Sequence, residues 1–144
     1  MRLIEWDNTY ELGIQKIDEH HRKLIELLNK AYDLLLYPTD KANIQTILQE
    51  LIKYTEYHFD AEEQLMKEAG YKGLMSHVTK HNNFKNKLSA FMLDYVSGAV
   101  NLNTDMVMFL CDWLRLHILK DDKKFITYLA LKNSMQSERL ASSF

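Results

Sequence analysis

Apolar side chains return along this chain at steps of three and four residues, the pattern of helices that bury one stripe each. Ile14, Ile17, Leu24, Ile25, Leu28, Tyr32 and Leu35 form one stripe, and Ile44, Ile47, Leu48, Leu51, Phe59, Leu65 and Met66 a second. Leu74, Val78, Phe84, Leu88, Phe91, Met92 and Tyr95 form a third, and Val107, Leu110, Leu114, Ile118, Phe125 and Leu129 a fourth. Breaks fall between them: Gly13 precedes the first, Pro38 follows it, Gly70 and Gly73 end the second, and Gly98 ends the third. The pattern predicts helices over roughly 14–36, 41–69, 74–96 and 104–130. Short gaps make consecutive helices antiparallel neighbours, so the expected fold is all-α, an antiparallel up-down-up-down four-helix bundle. Pro38, Thr39 and Asp40, and then Asn101, Leu102, Asn103 and Thr104, supply turn and N-cap chemistry before the second and fourth helices.

Composition agrees with one domain. The chain has 144 residues with one proline and four glycines, which suits long helices better than short strands joined by tight turns. Residues 1–131 are expected to form the bundle and 132–144 a short, frayed polar tail. Hydrophobic residues make up 47% and charged residues 26%, with 18 basic against 20 acidic side chains, which disfavours disorder and a nucleic-acid partner. Cys111, the single cysteine, excludes an internal disulfide and an all-thiolate metal site, and reads as a small buried apolar residue. No run of about 18 apolar residues occurs, and the Met1 to Asp7 segment carries charge where a signal peptide would be apolar. A cytoplasmic protein with no membrane partner is expected.

The six histidines do not fit a plain core. His77 and His81 stand one turn apart and continue the third stripe, His58 and Glu62 share the same spacing in the second, and His117 follows Leu110 and Leu114 in the fourth. Of the adjacent His20 and His21, His21 lies within roughly 20° of the mean direction of the first stripe and His20 roughly 80° away, so His21 is the inward one and His20 a flank residue without a role. A single inward histidine is ordinary. Five, with carboxylates, from all four helices are not, because each buried polar group without a partner costs on the order of 1–3 kcal/mol in a domain stable by about 5–15 kcal/mol. A shared metal site satisfies them together. The donors exceed the four of a structural zinc site, which makes two ions the natural count. Nitrogen and oxygen ligands without sulfur suit iron, manganese or zinc.

These residues carry a resemblance. Trp6 with Gly13 and Ile14, the run Ile17 to His21, the run His58 to Glu63, the run His77 to His81 and the run His117 to Asp122 resemble the motifs of single-domain bacterial hemerythrins, from about Ile4 to Leu129. The resemblance implies two non-haem iron ions joined by an oxo or hydroxo bridge. One iron would be held by His77, His81 and His117 and the other by His21 and His58, with Glu62 and Asp122 bridging both. Dioxygen would bind at the open position of the second iron. At His117 the family spacing selects Asp122, whereas ideal helical spacing favours Asp121. Phe125, Ile126 and Leu129 are rotated by roughly 60° from the Val107 to Ile118 direction, which fits a π-type widening near residue 120, leaving Asp121 facing solvent. Glu63 is expected to be a solvated neighbour of Glu62.

A dioxygen pocket should be dry. Ile17, Leu24, Ile25, Phe59, Leu114 and Ile118 lie one turn from, or beside, the ligands and are candidates to line it, with ordinary core packing as the alternative for each; Trp113 flanks them and Trp6 lids the bundle end. Lys120, Lys123 and Lys124 form a solvated face. The implied function is reversible dioxygen binding for carriage, storage, delivery or sensing by a monomer with an unidentified delivery or signalling partner. It would be a binding protein rather than an enzyme, with weak oxidase or peroxidase activity as a side reaction. The alternative is a di-iron oxidase, peroxidase or nitric oxide-handling enzyme on the same centre. The absence of an inward Asp or Glu beyond the two bridging positions favours binding, although Tyr32 and Tyr54 are available proton donors.

Overall fold

The computed structural model describes residues 4–37, 41–99 and 104–142. Helix α1 spans Gln15–Leu36, α2 Lys41–Glu68, α3 Leu74–Ser97 and α4 Thr104–Leu116; a π-helical segment, His117–Asp122, leads into α5, Lys123–Ser142. Both joints keep helical backbone angles (Leu116 φ −64°, ψ −39°; Lys123 φ −61°, ψ −36°), so α4, the π segment and α5 are one continuous rod. Four rods result, with α1 packed on α2 and α4, and α2 on α3, and the molecule is the expected four-helix bundle. The stretch expected as a frayed tail continues as helix to Ser142. Residues 38–40 and 101–103, where turn and capping chemistry was expected, lie outside the described residues.

The apolar stripes meet inside. Leu24, Leu28, Leu51, Phe59, Phe84, Leu88, Val107, Leu110, Leu114 and Ile118 share one cluster, and Leu48, Phe91 and Tyr95 a second at the far end. Each side chain removed from water contributes about 1.5–3 kcal/mol. Cys111 is buried here as expected, and burial pushes its thiol up to about 12.

The periodic stripes did not reveal the segment before α1. Ile4, Tyr10 and Leu12 are buried, and the segment is pinned to α1 at two places. Ile4 N–H donates to Asn29 Oδ1 (3.0 Å) while Asn29 Nδ2 donates to Ile4 O (2.8 Å). Asp18 accepts from the N–H groups of Leu12 (2.8 Å) and Gly13 (3.2 Å). Trp6 lies between the Tyr10 ring (5.5 Å) and the Arg22 guanidinium (4.6 Å), a lid at this end of the bundle. At the opposite end of α3, Gly98 takes φ +81°, a left-handed cap in which its N–H reaches the Asp94 and Tyr95 carbonyls. The turn after α2 is held by α5, whose Tyr128 hydroxyl and Lys132 ammonium both donate to Ala69 O.

Candidate metal centre

Each rod delivers its polar residues by simple spacing. α1 presents His21, α2 presents His58 and Glu62 four residues apart, and α3 presents His77 and His81 four apart. The fourth rod presents His117 and Asp122, five apart. In an α-helix positions five apart diverge by roughly 140°, and the wider turn of a π-helix, with its i→i+5 hydrogen bonding, narrows that divergence. The expected widening is therefore present, and it turns Asp122 inward. None of these seven side chains is more than 3% exposed.

The donor atoms divide into two sets that share the carboxylates. Glu62 Oε1 lies 2.5 Å from His77 Nε2, 3.3 Å from His81 Nε2 and 3.5 Å from His117 Nε2. Its other oxygen, Oε2, lies 3.3 Å from His58 Nε2 and 3.8 Å from His21 Nε2. Asp122 divides in the same way: Oδ1 is 3.0 Å from His77 Nε2 and 3.2 Å from His117 Nε2, while Oδ2 is 3.1 Å from His21 Nε2. Glu62, His77, His81 and His117 form one group able to hold a cation, and His21, His58, Glu62 and Asp122 another, with donor atoms within 4.8 Å of one another.

The chemistry of this set asks for cations. His81 Nε2 and His117 Nε2 are 2.9 Å apart, and two bare imidazole nitrogens repel unless a proton or a metal lies between or beside them. His21 Nε2, His58 Nε2, Glu62 Oε2 and both Asp122 oxygens are buried without a well-formed hydrogen bond. Such orphans are costly, and a metal ion is what buried nitrogen and oxygen donors facing one another can satisfy together. Titration behaviour points the same way. Burial alone would push the His21 imidazole down, but Asp122 and Glu62 beside it hold it up at about 9. His117 is likewise held well above its ordinary value against burial, by Asp122 and Asp121. Burial raises the two carboxyls, yet the surrounding histidines keep Glu62 well below the usual range and Asp122 at about 2. Protons on histidine thus stand in for metal charge, and metal binding must displace them.

Several outer partners depart from the sequence reading. Glu63, expected to be solvated, places Oε2 2.9 Å from His81 Nδ1. Asp121, expected to face solvent, places Oδ2 3.1 Å from His117 Nδ1 and Oδ1 2.6 Å from Lys80 Nζ. Neither residue is free of the centre because each ligand-bearing ring has a second nitrogen, and the residue adjacent to an inward carboxylate is the nearest group able to meet it. His20, expected on the flank, is only 5% exposed, with Nδ1 3.1 Å from His58 Nδ1. Its direction on α1 does not bury it; α2 does, by presenting Tyr54 and Tyr57 to that flank, with ring centroids 5.8 and 5.0 Å from His20. Burial and the neighbouring His58 bring the His20 imidazole down to about 4, so it is neutral.

The apolar candidates divide into two places. Leu24, Ile25, Phe59, Leu114 and Ile118 join the main core, where Phe59 stacks on His81 (3.8 Å, 3°) and Trp113 on His117 (4.5 Å, 18°). Ile17 instead lines a small cavity of about 10 Å³ bounded by Glu62 and Asp122, with Leu12, Ile14, Leu65, Met66, Phe125 and Ile126. One further buried carboxylate was missed, Asp18, at 8% exposure. Its oxygens are engaged by the Leu12 and Gly13 amides. Tyr54 meets the His20 ring edge-on, with 5.8 Å between centroids.

Residues 12–129 match the hemerythrin HHE cation binding domain. The bacteriohemerythrin of Clostridium acetobutylicum is 37% identical over 125 residues, covering 84% of this chain and 97% of that protein. The myohemerythrin of Theromyzon tessulatum is 31% identical over 121 residues, covering 84% of this chain and 89% of that protein. A crystal structure of a wild-type hemerythrin superposes with a TM-score of 0.81 at 27% identity, covering 85% of this chain and 95% of that one. These matches establish that the chain belongs to the hemerythrin family, and the buried histidine and carboxylate cluster in the bundle interior fits an iron site.

Proposed function

We propose that this chain binds dioxygen reversibly at a non-haem di-iron centre, for carriage, storage, delivery or sensing. The observation that carries the reading is the division of Glu62 and Asp122. Each aims one oxygen at the His77 and His117 side and the other at the His21 side, which is what two carboxylates bridging a pair of ions require. His77, His81 and His117 would hold one iron, and His21 and His58 the other, leaving the second with fewer protein ligands. Ferrous ions held there would supply the redox chemistry of dioxygen binding, which the side chains themselves lack.

The protein's own contribution is ligation, shape and dryness. Ile17, Leu24, Ile25, Phe59, Leu114 and Ile118 are each at most 3% exposed and keep bulk water from the centre. Asp18, the third buried acid, is held by two backbone amides and is not poised to deliver a proton. A site that withholds water and acid favours release of the bound gas over its consumption. The names of the relatives, bacteriohemerythrin and myohemerythrin, agree with an iron-dependent dioxygen binder. No helix among the described residues is long and apolar enough to cross a membrane.

The test is a gas cycle on the reduced, iron-loaded protein. Exposure to air should change the optical spectrum, and removal of the gas should restore the starting one, with two irons per chain by metal analysis. Rapid, irreversible conversion to ferric protein would instead favour an oxidase or peroxidase, and one iron per chain would exclude the bridge.

A further inference from the structure

His20 carries a role that the ligand set alone does not give it. A neutral imidazole has one N–H and one bare nitrogen. If His58 binds metal through Nε2, its proton must sit on Nδ1 and needs an acceptor. His20 Nδ1 lies 3.1 Å away and meets that need. The His20 ring is itself held at this angle: it stands edge-on to His58 (88°) and to Tyr54 (82°), with Tyr57 at 5.0 Å on the same side.

We propose that His20 is a positioning residue for metal binding, whose Nδ1 accepts the Nδ1–H of His58 and so holds the His58 ring with Nε2 bare toward Glu62 and the metal. The inference rests on the two-ion reading above. It also makes the two positions unequal. His81 and His117 are backed at Nδ1 by the carboxylates of Glu63 and Asp121, which enrich their rings as donors. His58 is backed by an imidazole nitrogen, which must be bare to accept and so orients the ring without adding a negative charge. The ion at His77, His81 and His117 therefore loads first, and the ion at His21 and His58 loads second and is lost first.

Anaerobic titration with ferrous iron alone, in competition with a chelator and with metal counted per chain, reads this directly. His20→Leu keeps bulk and removes the acceptor. It should weaken the second ion by about 10- to 100-fold and leave the first unchanged. His20→Gln returns an acceptor oxygen and should recover the second ion to within a few-fold, and His20→Glu should bind it more tightly than the parent chain. Thermal unfolding of the metal-free variants separates this role from a packing role, because Leu and Gln should differ in metal affinity at similar metal-free stability. A parent chain that takes two ions, with His20→Leu matching it or His20→Gln failing as His20→Leu does, would overturn this role alone. A parent chain that takes one ion would overturn the two-ion reading and this proposal together. If His20→Leu does not fold, the Gln and Glu variants still decide: a Glu variant no tighter than Gln would overturn the charge argument.

Discussion

His117 and Asp122 face the same interior point although five residues separate them, because the chain between them is wound as a π-helix. Asp121, four residues from His117, is thereby displaced to the other ring nitrogen, where it meets Lys80 as well. One local change of winding thus assigns two adjacent aspartates to different tasks. Asp122→Ala should lose at least one of the two proposed ions. Asp121→Ala should keep both in excess metal while weakening binding by about 10- to 100-fold. Metal counts before and after dialysis against a chelator check both, and equal stoichiometric loss in the two variants would contradict the assignment.

Glu63→Gln and Asp121→Asn retain hydrogen-bonding groups and remove charge. Both should weaken the first-loaded ion with little change in fold, read as a lower midpoint in chelator competition at unchanged circular dichroism.

The metal-free protein should lose stability on the alkaline side. His21, His77 and His117 are held above their ordinary value in the folded state, so their stabilising contribution is complete below about pH 6.5. It is lost as pH rises through their folded values, about 9 for His21. Glu62 and Asp122 act oppositely: their contribution is present above about pH 4 and is lost as pH falls through lower values, about 2 for Asp122. Thermal midpoints in chelator should fall from about pH 6.5 to 9, and the decline should vanish once metal replaces the protons. Metal loading near neutral pH should release protons, measurable by indicator dye.

Phe59 is 1% exposed and stacked on His81, so it both fills the core and fixes a ligand ring. Phe59→Ala should destabilise the metal-free protein by about 3–5 kcal/mol in denaturant titration.

Leu114→Ala opens space in the core, one turn before His117, at a cost of about 2–5 kcal/mol. If apolar packing keeps water from the centre, the oxygenated protein should convert to its ferric form faster than the parent. An unchanged conversion rate would remove Leu114 from that barrier.

Much of this was legible in the sequence because helices translate spacing into direction. The seven polar residues that converge were visible as interruptions of apolar stripes, and even the π segment could be read from the drift of Phe125, Ile126 and Leu129. What escaped depended on contacts between rods. His20 reads as a flank position on α1, and only the approach of His58, Tyr54 and Tyr57 from α2 buries it. Glu63 and Asp121 read as solvated for the same reason: their partners are the far nitrogens of rings whose orientation no single helix fixes. Asp18 was hidden because its partners are backbone amides of a segment with no periodicity.

That segment closes the vessel like a stopper on two hooks, Asn29 near its outer edge and Asp18 at its inner one. Because Leu12 and Ile14 form part of the wall of the small cavity beside Glu62 and Asp122, releasing the inner hook by Asp18→Ala would uncork the chamber without altering any of the seven proposed ligands. Seal and metal grip thus rest on different side chains.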